Sequence, residues 1–266
     1  MILFDRLRKD FPTAKRQTLK RMVQDRRVLI NDIPATKLTQ PIQPKDRVDI
    51  IATKKSLKPG LPFPIIYEDA DVLVIEKPAG LLTSTVPREP RPTVIAAVTQ
   101  YLQATSPAAH VGLIHRLDRD ASGLLVFSKT SAAYASLKKQ FFHHTVTRIY
   151  HATVSPAPKK DSARIESRLI ERADGTVHST RDATKGQRAV TDFKILKREK
   201  DSAELKVTLQ TGRKHQIRVH LSESGTPILG DAIYGGKSHK DGLHLRAAEL
   251  AFDHPRTGKR ISFPIK

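Results

Sequence analysis

The sequence has 266 residues, 38% of them hydrophobic, no cysteine, and 47 lysines and arginines against 27 acidic residues, a formal charge of +20. That length can bury a sizeable core unaided, and the missing thiols exclude disulfides, thiolate metal sites and cysteine nucleophiles. No apolar run reaches a membrane span, and MILFDRLRKDF is charged where a signal peptide is apolar, so a soluble, cytoplasmic protein that attracts polyanions, nucleic acid first, is expected.

Residues 1–52 read as a small basic unit. Leu19, Met22 and Val23 recur at helical spacing, which predicts a helix from Thr13, as N-cap, to about Asp25. Two short strands, RVLI and RVDI, flank the turn signals Asn31-Asp32 and Pro44-Lys45-Asp46. Lys15, Arg16, Lys20 and Arg21, with Arg26 and Arg27 beyond, either track phosphates or form a solvated face. Residues 53–64, TKKSLKPGLPFP, have no periodicity and read as a linker. Residues 65–266 then mix strands and helices without regular alternation. DVLVIEK is a buried strand running into a turn at Pro78-Ala79-Gly80, and TVIAAVTQYLQA is a helix facing inward with Val94, Ala97, Val98, Tyr101 and Leu102. GLLVFSK is a strand, TSAAYASLKKQFF a helix with Tyr134, Leu137 and Phe141 inward, and RIYHATV, ARIESRLI, AVTDFKILK and AELKVTLQ successive strands. A helix in HQIRVHLSES stops at Gly225, and LHLRAAELAF and RISFPI close the chain as strands. An α+β domain on a mixed, mostly antiparallel sheet is expected, preceded by the small α+β unit.

Three stretches carry candidate chemistry. In HRLDRDASGLLVFSK, residues 115–129, Asp118 lies between Arg116 and Arg119. Neighbouring positive charge suits a carboxylate acting as nucleophile or base, whereas spacing alone favours an ordinary ion-pair cluster. Asp120, Ser122 and Gly123 read as structural. In TRIYHATV, strand alternation puts Arg148 and Tyr150 on one face, so Tyr150 is either a platform for a base or a core residue. TGRKHQIRVHL gathers Arg213, Lys214, His215, Arg218 and His220 at a helix start. One charged residue there can point inward while the rest meet phosphate. The separation of His215 and His220 does not suit co-ligands, so no metal is expected. ILGDAIYGG reads as a loop without a phosphate-binding signature.

These stretches, with LHLRAAELAFDHP and in this order, resemble the RluA family of RNA pseudouridine synthases over roughly residues 62–266. The N-terminal unit is similar to the small RNA-binding domain named after a small-subunit ribosomal protein. The resemblance implies that Asp118 is the catalytic aspartate, Tyr150 the base-stacking tyrosine and Arg218 the basic partner of the aspartate. It implies that Arg116 occupies the space of an extruded uridine, that Leu243 lines the pocket and that His115 joins them at the substrate. It further implies cleavage of the uridine C1′–N1 bond, rotation of the base and rejoining at C5, with no metal or other cofactor. Asp118 either adds covalently or removes a sugar proton. Ribosomal RNA is the first expected substrate, transfer RNA the second, and a monomer is expected. The sequence departs from the family pattern at Ala121 and Lys214, and from the N-terminal domain's glycines at Arg26, Asp32 and Lys45. Two rival classes are a non-catalytic RNA-binding or ribosome-assembly protein on the same fold, and a glycosidase. The second needs a paired carboxylate that the sequence does not offer.

Overall fold

Apolar residues one turn apart build both helices of the N-terminal unit. Leu3 and Leu7 are buried along α1 (Leu3–Asp10), and Leu19, Met22 and Val23 along α2 (Arg16–Gln24). The computed structural model describes residues 1–24, 28–31, 33–50, 61–84, 91–104, 106 and 108–265, and the chain divides into two units, residues 1–59 and 60–266. α2 begins two residues later than the Thr13 cap predicts: the Lys15 carbonyl accepts the N–H groups of Thr18 and Leu19. The sequence reading lacks α1, whose two-leucine stripe is set among Asp5, Arg6, Arg8, Lys9 and Asp10. β1 (Val28–Ile30), β2 (Ile33–Pro34) and β3 (Val48–Ile50) form an antiparallel sheet in the order β2-β1-β3. Asn31, at φ 50°, makes the left-handed turn after β1. Its side chain ties to Asp46 and to the Arg47 N–H, both at 2.9 Å. Lys45 is not left-handed, so the turn before β3 needs no glycine there. Arg26, Arg27, Asp32 and residues 53–60 of the expected linker lie outside the described residues.

The second unit is dominated by a sheet. In chain order its elements are β4 (Ile65–Glu68), β5 (Val72–Lys77), α3 (Val94–Gln103), β6 (Gly112–Leu113), β7 (Ser122–Ser128), α4 (Ser131–Phe142), β8 (Thr147–Val154) and β9 (Ser162–Glu171). β10 (Val177–Thr180), β11 (Gln187–Arg198), β12 (Ala203–Leu209), α5 (Gln216–Glu223), β13 (Leu245–Asp253) and β14 (Arg260–Pro264) follow. The sheet runs β10-β9-β11-β12-β8-β13-β7-β5-β4, with β14 on β13 and β6 on β7. β13 and β7 pair in parallel, and the other pairings among the described strands are antiparallel, as the sequence leads one to expect.

The apolar runs in β5 and β7 lack alternation because both faces are covered. Leu73, Ile75, Leu125 and Phe127 enter one core, with Val94, Val98, Tyr101 and Leu102 of α3 and Ile217 and Leu221 of α5. Val72, Val74, Leu124 and Val126 enter a second, with Leu137 of α4. Thr93 caps α3 by accepting the Ala96 N–H at 3.3 Å, and Thr130 caps α4 through the Ala133 N–H at 3.1 Å. Tyr134 of α4 is exposed, contrary to its expected inward position, and Ala133 takes the buried place beside Leu137. Among the described residues no helix is long and apolar enough to cross a membrane.

Candidate active site

Asp118 sits in the loop that leads into β7, and the backbone on either side of it is fixed. Leu117 exchanges two hydrogen bonds with the buried Thr83 hydroxyl, which accepts the Leu117 N–H at 3.2 Å and donates to the Leu117 carbonyl at 2.8 Å. The Arg119 carbonyl accepts from Lys77 Nζ at 2.8 Å. Lys77 is fully buried and gives its two other donors to the Pro78 and Leu81 carbonyls. Burial pulls its pKa down to about 8, against the opposing pull of Asp120 and Asp118. At the start of β7, Gly123 adopts φ 109°, and a Cβ there would overlap the Ala247 carbonyl oxygen. Only glycine lets β7 approach β13 this closely.

The arginines around Asp118 divide by partner. Arg119 turns to Asp120 through Nε at 2.8 Å and Nη2 at 3.0 Å, a bridge that lowers the Asp120 pKa. Asp118 pairs instead with Arg218, whose Nη1 lies 3.2 Å from Oδ2. Arg218 is 4% exposed and is gripped from behind by Asp231, which is 0% exposed at its side chain. Nε and Nη2 of Arg218 donate to the two Asp231 oxygens at 2.8 Å each. Asp231 also accepts the Ile233 and Tyr234 N–H groups at 3.1 Å, and the Tyr234 ring lies 5.0 Å from the guanidinium. Burial alone would lower the Arg218 pKa, but hydrogen bonds and charge from Asp231, with the charge of Asp118, outweigh it and raise it. The guanidinium is therefore a fixed cation with one edge offered to Asp118.

α5 carries Arg218 inward because its polar residues are satisfied inside the fold. Gln216 accepts from the Thr211 hydroxyl at 2.8 Å and donates to the Val190 carbonyl and the Thr191 hydroxyl. His220 lies 2.9 Å from Thr191 Oγ1 and 3.0 Å from Ser167 Oγ. His215 precedes the helix in a left-handed conformation, φ 53°, with Nδ1 2.7 Å from the Tyr234 hydroxyl. Burial lowers its pKa, against the opposing pull of Asp118.

One cavity of about 940 Å³ gathers most of these groups. Asp118, Arg218, Tyr150, Arg116, Arg148 and His215 all line it. Tyr150 is 7% exposed on β8, so it belongs to the core and to the cavity wall at once. Arg116 is exposed. His115 lines the cavity but is committed to packing: its ring stacks on Phe141 at 4.7 Å, and Nε2 accepts the Val126 N–H at 3.3 Å. Burial, with the charge of Arg148 second, depresses its pKa far below the usual range. Leu243 does not line the cavity. It packs into the core just before β13, and Leu245, at the start of β13, is one of the leucines that do line the cavity, with Leu82, Leu113, Leu117 and Leu209.

Among the described residues, two side-chain groups bring metal-type donor atoms within 4.8 Å of one another, His239 with Asp241 and His244, and Asp69 with Asp71 and His254. Neither lines the cavity, and the second is occupied internally by the Arg256 bridge to Asp71 and the hydrogen bonds to Asp69. The residues that sequence reasoning misses are Asp231, Tyr234, Thr83 and Lys77. Asp231 stands thirteen positions from Arg218, within a stretch whose glycines mark it as a loop.

The mixed, mostly antiparallel sheet that carries this basic cavity has the pseudouridine synthase fold. A solved structure titled human RNA pseudouridylate synthase domain containing 4 has that fold at TM-score 0.66 and 23% identity, covering 79% of this chain and 90% of its own. The chain belongs to the RNA pseudouridylate synthase family, RluA type: residues 71–223 match the family pattern. An RNA pseudouridine synthase from Bacillus subtilis, YlyB, described as uncharacterized, is 36% identical over 93% of this chain and 84% of its own length. The ribosomal large subunit pseudouridine synthase D of Neisseria meningitidis is 31% identical over 97% of this chain and 73% of its own.

Proposed function

We propose that this synthase isomerises specific uridines of large-subunit ribosomal RNA, with Asp118 acting on the substrate, Arg218 orienting it, Tyr150 stacking on the base and Arg116 entering the space the base vacates. The observation that carries the reading is the Asp118–Arg218 pair, a carboxylate 23% exposed at the floor of a cavity whose wall includes Tyr150. Flipping a base out of a stack costs a few kcal/mol, and an aromatic face contributes about 1–3 kcal/mol per base in return. The similarity to a large-subunit synthase supports ribosomal RNA as the substrate. The N-terminal unit adds a second RNA contact through Lys15, Arg16, Lys20 and Arg21, all exposed on or beside α2.

The test is a transcriptome-wide pseudouridine map of cells carrying wild-type protein or Asp118→Asn. The expected result is loss of one or a few sites in large-subunit ribosomal RNA in the variant, with RNA affinity of the purified protein nearly unchanged. Loss in transfer RNA instead would overturn the substrate, and an unchanged map would overturn the role of Asp118. Replacing the four α2 cations by glutamine should weaken RNA binding and flatten its salt dependence; an unchanged slope would remove the N-terminal unit from the interface.

A further inference from the structure

Three of the seven lysines and arginines that line the cavity are matched to carboxylates: Arg218 to Asp118 and Asp231, Arg119 to Asp120, and Lys214 to Glu171. Arg148 is different. It stands on β8 two residues before Tyr150 and lines the same cavity. Its Nε is buried with no hydrogen-bond partner. The guanidinium lies 5.7 Å from the Phe141 ring. It is also pressed against Gly212, where a Cβ would collide with Nη1. Burial lowers the Arg148 pKa, and its charge in turn depresses those of His115 and His144. Arg213, whose Nε reaches only the Arg188 carbonyl at 3.1 Å, and His144 complete this side of the cavity.

A half-buried guanidinium that repels its neighbours is a standing electrostatic cost, and such groups are normally paired. Among the described residues no carboxylate forms an ion pair with Arg148; Asp118 and Glu171, which line the same cavity, pair with Arg218 and Lys214. Arg148 and Tyr150 share one strand face about 7 Å apart along the chain, a distance one nucleotide spans. We propose that Arg148, with Arg213 beside it, binds a phosphodiester flanking the target uridine, so that one strand face holds the base through Tyr150 and the backbone through Arg148. The inference rests on the reading of the cavity as a uridine site. It assigns Arg148 to positioning: the contact fixes which nucleotide of a strand stands over Asp118.

The experiment measures binding of the full chain, without turnover, to the pentanucleotide AAUAA, whose single uridine fixes the register. The comparison is its analogue with neutral methylphosphonates on both linkages of that uridine. Wild type should bind the charged form about tenfold more tightly, the worth of one charge-assisted contact. Arg148→Gln should bind both forms alike, and Arg148→Lys, which keeps the charge and loses the guanidinium fork, should recover part of the discrimination. Discrimination by Arg148→Gln equal to that of wild type, or none by wild type, overturns the proposal. If Arg148→Gln does not fold, the lysine variant decides alone: partial discrimination supports the contact, and complete indifference to the linkage charge overturns it. Failure of the uridine-isomerase reading shows separately, as an unchanged pseudouridine map with the binding difference intact.

Discussion

Asp231→Asn isolates the device that holds Arg218. In the structure Asp231 Oδ1 takes three donors, Arg218 Nη2 and the N–H groups of Ile233 and Tyr234, while Oδ2 takes Arg218 Nε alone. An asparagine keeps the three-donor oxygen and turns its amide nitrogen toward Nε, setting donor against donor. It also removes the negative charge from a pair whose members are 4% and 0% exposed. Breaking a buried pair from one side destabilises by about 3–5 kcal/mol, which for a unit of this size lowers the melting midpoint by roughly 10 °C. Catalysis suffers through geometry: freed from Asp231, Arg218 no longer fixes Asp118, and a misplacement near 1 Å lowers kcat about 100-fold. Single-turnover pseudouridine formation on the ribosomal RNA transcript, below the melting range, should therefore show a fall in kcat with KM nearly unchanged. Leu137→Ala, at a fully buried position in the second core and outside the cavity lining, is the control; it destabilises by about 2–5 kcal/mol and should leave kcat alone. If Asp231→Asn melts early yet keeps wild-type kcat, Asp231 is structural and the positioning argument is refuted.

Tyr150→Phe keeps the ring and should retain most activity, whereas Tyr150→Ala should raise KM by about 1–3 kcal/mol of lost stacking; equal activity of the two would deny the ring a role. Asp69 offers a pH-dependent check away from the cavity. Burial opposes its charge, but hydrogen bonds from the Val72 and Asp71 N–H groups, Tyr67 and His254 outweigh it and lower its pKa to about 2. Because the folded value lies below the unfolded one, the unfolded chain binds the proton first. Asp69 therefore stabilises by about 2 kcal/mol above pH ~4, and that contribution is lost as pH falls through ~2. Denaturant titrations of wild type and Asp69→Asn should differ by this amount at neutral pH and converge on acidification; a constant gap would refute the linkage. Gly123→Ala strains a positive φ and drives a Cβ into β13. It should destabilise by about 3 kcal/mol and reduce kcat by displacing the Asp118 loop, both readable in one preparation.

Local pattern made much of this legible before any coordinates. The helix face of Val94, Val98, Tyr101 and Leu102, the strands β7, β8 and β11 to β13, and the stop at Gly225 all follow from periodicity and turn chemistry. What local pattern misses is set by partners distant in sequence. α1 depends on a core shared with α2 and β1. The inward Tyr134 fails because Ala133 and Leu137 are the buried residues of α4, Leu137 in the second core, and the tyrosine is left exposed. Leu243, expected at the pocket from the resemblance, lies before β13 and outside the cavity wall, a placement that no local pattern marks. Asp231 is invisible for the same reason: only the fold brings a loop aspartate under an arginine of the preceding helix.

The ambiguity of a carboxylate between two arginines resolves by burial. The Arg119–Asp120 bridge is open to water, with side chains 48% and 36% exposed, and such a pair is worth about 0–1 kcal/mol. The Arg218–Asp118 bridge has one partner buried and already neutralised by Asp231, so Arg218 can present charge to Asp118 without depending on it for its own stability. That separation matters for a residue assigned to chemistry. A carboxylate that alone balanced a buried arginine could not give up its charge during a reaction without stranding the cation, whereas Asp118 can, because Asp231 remains. The arrangement supports either proposed route, addition to the sugar or base, or removal of a sugar proton, since both consume the anion transiently. It also accounts for the aspartate pair around one arginine: Asp231 carries the cost of burying the guanidinium, and Asp118 is left free to react.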